Sequence, residues 1–271
     1  MYLVTVLGNM LIILAVSSDS YLHTPMYFFL STLSLSDIGF ISTTVPKMIV
    51  DILTHSRVIS YGGCLTQMSL FLIFGSVDDL LLAVMAYDRF VAICHPLHYP
   101  VIINPHLCGF LVVMSFLLSL LESQLHNLIV LQFTHIKDVE IFNFFCNPSQ
   151  LLNLDCYETF TKNIVLCFAG AVFGFLPISG ILFSYCKIVS SILRVPSSDG
   201  KYKAFFTCGS QLSVVCLFYG TGLAGVSDSP SKGAVVSVVN TVVTPMLNPF
   251  IYSLRNRDIK RGMWQALRKA I

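Results

Sequence analysis

The chain has 271 residues, of which 55% are hydrophobic and 11% charged, with a formal net charge of +2 and a mean hydropathy of +0.77. Soluble domains carry about 25% charged residues, so these figures exclude an ordinary water-soluble fold, and no nucleic-acid partner is expected. The apolar residues are gathered into segments of about 20, the length that carries a helix across a hydrocarbon core about 30 Å thick.

Seven spans are predicted, all helical, because inside a bilayer a helix satisfies its backbone hydrogen bonds within one segment. The first, Tyr2–Val16, holds 15 residues, about 22 Å at 1.5 Å per residue. That is short for a crossing. Pro25–Val50 follows, with Asp37 at mid-depth, Pro25 at a helix start and Pro46 at a kink. Gly62–Ile93 carries Asp78, Asp79, Asp88 and Arg89. Ionisable groups at bilayer depth are costly, so they face a bundle interior or a cavity. The fourth span, His106–Leu125, leads into a long connection, Asn127–Thr161, that holds Asp138, Glu140, Asp155 and Glu158. Lys162–Leu193, Lys203–Val226 and Gly233–Leu254 complete the set, with Pro177, Pro245 and Pro249 at starts or kinks. Residues 255–271 form an amphipathic tail, with Trp264, Leu267 and Ile271 opposite Arg261 and Lys269. The expected fold is an all-α, seven-transmembrane helix bundle with a short amphipathic C-terminal helix, one domain over residues 1–271. No repeat, low-complexity tract or soluble domain interrupts it, and the first span can insert without a cleaved signal.

Basic residues orient the bundle. With the N-terminus outside, Arg89, Lys187, Arg194, Lys201, Lys203, Arg255, Arg257, Lys260, Arg261, Arg268 and Lys269 fall inside, 11 of the 16 Lys and Arg. Lys47, Arg57, Lys137, Lys162 and Lys232 are left to the outer loops. The C-terminus is therefore cytoplasmic and the acidic connection extracellular.

The nine cysteines show no metal-ligand spacing. Cys108, Cys167 and Cys216 fall in apolar runs, as buried thiols do, and Cys94, Cys186 and Cys208 lie towards the reducing cytoplasm. Cys64, Cys146 and Cys156 are on the oxidising side, where a disulfide persists. Cys64 opens the third span and Cys146 lies in the long outer loop, so this pair would staple the loop across the helix mouth. Cys156 is then odd.

Several long motifs stand in order along the chain. They are Gly8-Asn9, Leu22–Ser31 (LHTPMYFFLS), Leu33–Asp37 (LSLSD), Pro46-Lys47-Met48, Met85–Tyr99 (MAYDRFVAICHPLHY), Cys146 within NFFCNPSQLL, Ser184-Tyr185, Lys203–Val215 (KAFFTCGSQLSVV) and Pro245–Asn256 (PMLNPFIYSLRN). Together they resemble the odorant (olfactory) receptors of the rhodopsin-like G-protein-coupled family over nearly the whole chain. The resemblance implies a plasma-membrane receptor that binds a small hydrophobic volatile and activates a heterotrimeric stimulatory G protein, raising cyclic AMP. It implies no enzyme, cofactor or metal, and no nucleophile–base or metal constellation sits at one membrane depth.

Stepping back from Arg89 by helical turns brings Leu82, Asp78, Gly75 and Phe71 onto one stripe. Phe71, Leu72, Gly75 and Ser76 are then candidates for an outer-half cavity. By resemblance, Ala169, Phe173, Tyr219, Gly222, Leu223, Val238 and Thr241 face it, an apolar lining with a few hydroxyls. Plain helix–helix packing is the alternative for each. Asn9, Asp37, Asp78 and Asn248 resemble the buried polar cluster that can hold sodium in this superfamily, against a purely structural network. Asp79 is set to face another helix. Asp88, Arg89, Tyr185, Lys203, Asn248, Pro249 and Tyr252 are the expected activation and coupling residues, the inner ends opening to admit a G-protein helix. For Asp88 and Arg89 alone, a juxtamembrane salt bridge is the plainer reading. The tail suits an anionic inner leaflet.

The chain departs from the family pattern. The usual external N-terminal segment is missing, and Asn147-Pro148-Ser149 has proline where a glycosylation acceptor forbids it. No second cysteine precedes Cys146 to pair with Cys156. Gln211 and Asn240 replace the usual His and aromatic, and the Thr221–Pro230 loop is short. These features carry an alternative expectation, a truncated receptor that traffics poorly. A small-solute transporter is a further alternative, without the internal repeats and broken helices such proteins often show.

Overall fold

The computed structural model describes residues 1–55, 58–133, 138–140, 168, 170–194, 208–209, 212–220, 242–255 and 257–270. Helix α1 covers Tyr2–Ser18. Asp19 then leaves helical geometry, and its side chain accepts the Tyr21 N–H at 3.1 Å, fixing a single 3₁₀ turn, Ser20–Leu22. Pro25, whose missing N–H costs nothing at a first turn, opens α2, Pro25–Thr54. The helix runs four residues past the expected Val50 and stops at His55, in the left-handed region at φ 52°. Lys47, expected in an outer loop, instead lies inside α2 and pairs with Asp51 one turn on.

Helix α3 is Tyr61–Cys94, capped by the Ser60 hydroxyl, which accepts the Gly63 N–H at 3.2 Å. A one-turn helix, Tyr99–Ile102, precedes α4, Pro105–Phe133, whose first turn is closed by the Asn104 side chain accepting the Leu107 N–H at 2.8 Å. Here the expected boundary is corrected. Helix α4 continues eight residues beyond Leu125, so Asn127–Phe133 are helical and not loop. The reason is packing: Ile129 and Val130 bury against Cys64 and Met68 of α3, and Asn127 bonds Ser69.

A π-helical turn, Gly170–Phe175, leads into α5, Leu176–Leu193. Residues 212–220 form helix α6, Thr244–Arg255 α7 and Arg257–Ala270 α8. Four of these helices, α2, α3, α4 and the run Ala171–Leu193, are long and apolar enough to cross a membrane, and α1 is a shorter apolar helix.

Helix α3 is the axis, packed by α2, α4 and α5, while α1 lies against α2, α7 and α8. The core runs through Leu30 and Leu33 of α2, Val77, Leu81 and Met85 of α3, and Ile181 and Ile188 of α5. Leu7, Leu14, Leu121, Leu182 and Phe183 are exposed, as a lipid-facing surface requires. Outside the helices, β1 (Val58–Ser60) pairs antiparallel with β2 (Asp138–Glu140), Val58 opposite Glu140 and Ser60 opposite Asp138. This ribbon ties the segment entering α3 to the chain beyond α4.

Close approach at two glycines joins α1 to its neighbours. A Cβ on Gly8 would stand 3.1 Å from the Pro249 ring of α7, and one on Gly262 2.8 Å from Leu22. The first contact lets α1 reach α7, and the second seats α8 under α1.

Candidate functional site: the α3 axis

Three polar stations lie along α3. The inner one holds Asp88 and Arg89, adjacent in sequence and ion-paired at 3.2 Å. Asp88 is 1% exposed and accepts a second bond at 2.8 Å from the Tyr99 hydroxyl of the one-turn helix. Burial and that carboxylate hold the Tyr99 phenol well above its ordinary pKa, so it remains a donor. Nearby, Arg89 Nε and the buried Tyr185 hydroxyl of α5 have no hydrogen-bond partner among the described residues. Among the described residues, this end of the bundle therefore has two buried donors without acceptors.

The middle station joins α1, α2, α3 and α7. Asn248 donates its amide to both Asp37 oxygens, at 3.1 and 3.0 Å. Pro249 has no N–H to give the Pro245 carbonyl, and the Asn9 amide donates there at 3.5 Å and to Thr5 at 3.1 Å. Asp37, Asp78, Thr244 and Asn248 are the polar lining of a small internal cavity walled by Phe40, Val214 and Phe218. Oδ1 of Asn9, Asp78 and Asn248, with Oγ1 of Thr244, are buried and have no hydrogen-bond partner among the described residues. Oxygen atoms left over around a small cavity suit a hard cation or an ordered water. All four residues expected in the polar cluster are thus neighbours in this part of the bundle.

The outer station distributes the expected pocket residues over several neighbours. Phe71 stacks obliquely on Phe40 of α2 with ring centroids 4.9 Å apart, and Gly75 also faces Phe40. Leu72 packs on the Met68–Ile129 cluster towards α4. The Ser76 hydroxyl bonds Glu122 of α4, and the Tyr219 hydroxyl of α6 bonds Asp79. Asp79 does face another helix. Phe173 is half-buried in the π turn. Higher up, Gln67 donates to the Thr43 carbonyl of α2 at 3.0 Å, in the turn that Pro46 disturbs. Ala169, Lys203, Gly222, Leu223, Val238, Thr241 and Cys146 lie outside the described residues, as does the Tyr252 side chain. Cys64 is disulfide-bonded.

Sequence reasoning missed Tyr99 and Glu122. Tyr99 closes the MAYDRFVAICHPLHY run, and a lone acid in the fourth apolar span is itself a signal.

The sequence model of the olfactory receptor family matches residues 1–270. The chain belongs to the olfactory receptor family. It is 72% identical to mouse olfactory receptor 7E178 over all of this chain and 83% of that protein. Human olfactory receptor 7E24 is 74% identical over 97% of this chain and 79% of its own length, and human olfactory receptor 7A10 60% identical over 97% and 87%. Membership makes this an odorant receptor, a multi-pass plasma-membrane protein that couples to a G protein and not an enzyme.

Proposed function

We propose that the receptor is a seven-helix bundle, residues 1–271, with its N-terminus outside and residues 255–271 as a cytoplasmic tail. It binds small hydrophobic volatiles in the outer half and couples to a stimulatory G protein. The main support is the division of α3: a buried ion pair at one end, half-buried apolar and hydroxyl side chains at the other, and an oxygen-lined cavity between. Phe71, Leu72, Gly75 and Ser76, with Ala169, Phe173, Tyr219, Gly222, Leu223, Val238 and Thr241, contact the odorant. An odorant acts by binding one of two helix packings more tightly, and its effect cannot exceed that difference.

Asn9, Asp37, Asp78 and Asn248 hold sodium or water in the resting packing and close up on activation. The unbonded oxygens support this role. Asp88, Arg89, Tyr185, Lys203, Asn248, Pro249 and Tyr252 carry the change to the G protein. Cys64 pairs with Cys146, a reading favoured by the β1–β2 ribbon that brings the chain just before each cysteine together. The 11-to-5 division of basic residues supports the orientation.

The test is a cyclic AMP screen of volatiles on cells expressing a tagged receptor, with surface staining as control. Ligand-dependent cyclic AMP, abolished by Leu72→Trp at equal surface density, is the expected result, because packed sites resist added bulk. Signalling through an inhibitory G protein alone would overturn the coupling assignment, and an unchanged dose–response in Leu72→Trp would move the pocket.

A further inference from the structure

The hydroxyls of the outer station share a property that concerns which odorants fit, and the inference rests on the pocket reading above. A hydroxyl has one proton to donate and two lone pairs. Ser76 spends its proton on Glu122, and Tyr219 on Asp79. One turn and more outward, Ser69 donates to the Leu65 carbonyl at 2.6 Å and Ser123 to the Ser69 carbonyl at 3.1 Å. His126 has Nδ1 3.0 Å from the Glu122 carbonyl, so that nitrogen carries the proton and gives it away too. Glu122 and Asp79 lie within electrostatic reach of each other, 9% and 6% exposed. On the pocket reading, these two helix–helix pairs present a ligand with lone pairs on four oxygen-bearing groups, their hydroxyl protons already committed.

We propose that this receptor selects odorants that donate a hydrogen bond, alcohols and phenols, over ketones and aldehydes of the same carbon skeleton, and against carboxylates. Glu122 and Asp79 are the specificity-determining residues. They orient Ser76 and Tyr219 as acceptors and offer their own remaining oxygens. A carbonyl odorant brings a second acceptor to an acceptor wall and leaves both sides unsatisfied. A carboxylate has no proton to give and meets the same acceptors.

Matched pairs test this in the cyclic AMP assay: menthol against menthone, borneol against camphor, 1-octanol against octanal and octanoic acid. The alcohol of each active pair should be at least about tenfold more potent, the cost expected when a buried polar group is left unpaired. Glu122→Gln and Asp79→Asn each add an N–H donor to the wall and should bring that ratio to unity or invert it, at normal surface density. Carbonyl partners equal to the alcohols in the unmodified receptor, or silence to all three alcohols, overturns the proposal with no variant needed. An unchanged ratio in both amide variants overturns the assignment to these carboxylates. If Leu72→Trp abolishes every response while alcohols and ketones rank alike, the pocket stands and this inference falls. If Leu72→Trp changes nothing, the pocket reading has failed first.

Discussion

The two ends of α3 are fastened in opposite ways. At the inner end the chemistry is local: Asp88 is held by Arg89, its neighbour, and by Tyr99, eleven residues on. At the outer end it is distant: Ser76 bonds Glu122 across 46 positions, Tyr219 bonds Asp79 across 140, and β1 pairs with a strand beyond α4. A local cluster can change partners without moving the helices that carry it, whereas bonds between helices must break for the helices to part. The outer half is thus built to hold its shape and the inner half to exchange bonds.

Removing the outer fastenings should have the largest effect. Cys64→Ser opens the disulfide at the mouth of α3, and such a staple is commonly worth about 2–5 kcal/mol. Surface labelling should fall to near background. A Cys64→Ser receptor at full surface density would mean that the ribbon and the α3–α4 contacts suffice. In the middle of the bundle, Asp37→Val should cost about 1–3 kcal/mol, because the Asn248 amide loses both acceptors in a buried site. Thermal stability of the detergent-solubilised receptor checks this, and Asp37→Asn should recover part of the loss by restoring one acceptor.

The inner end should respond differently. Arg89→Ala leaves Asp88 its bond from Tyr99, so the fold and the distant pocket should survive while G-protein activation per bound receptor drops at least tenfold, about 1.4 kcal/mol of coupling free energy. Odorant binding lost with coupling intact would reverse the assignment of the two ends. Gly8→Val sharpens the same contrast through packing. The new side chain must displace the Pro249 ring of α7, and overpacking costs about 1–3 kcal/mol. Because that contact joins α1 to the helix carrying Asn248, the variant should lose thermal stability.

The local end is also the end that a sequence discloses. Asp88 and Arg89 are adjacent, their depth follows from the length of the apolar run, and the proline positions mark helix starts without reference to any partner. Asp37 and Asp78 are legible as costly acids that must meet something, and Asn9 and Asn248 through the family resemblance. Which atoms meet is not: only the fold reveals that Asn9 serves the carbonyl orphaned by Pro249. Glu122 went unread because its partner lies on another helix and hydropathy registers only the apolar run around it. The end of α4 was misjudged for a similar reason. Asn127 looks like a loop residue until Ser69 is seen to accept its amide at 2.8 Å.

The smallest expected effect belongs to Tyr99→Phe, and it separates a structural pair from a switch. Tyr99 gives Asp88 a bond at 2.8 Å while Arg89 holds the other carboxylate oxygen. Since burial, with the carboxylate beside it, raises the phenol's pKa, the proton stays on oxygen across the physiological range. The bond is fully present below the ordinary tyrosine pKa and is lost only as pH climbs through the raised value. Coupling should therefore show no tyrosine titration up to pH about 9, below the ordinary value near 10. Deleting the hydroxyl removes one bond to a charged acceptor, worth about 1.5–3 kcal/mol when fully buried and less at this partly open turn. Asp88 then leans more on Arg89, so Tyr99→Phe should lower agonist-driven signalling a few-fold without touching surface density. Tyr99→Phe combined with Arg89→Ala should depart from additivity by about 0.5–3 kcal/mol, as residues sharing one partner do. Strict additivity would mean that Tyr99 only anchors its own turn and takes no part in the change at Arg89.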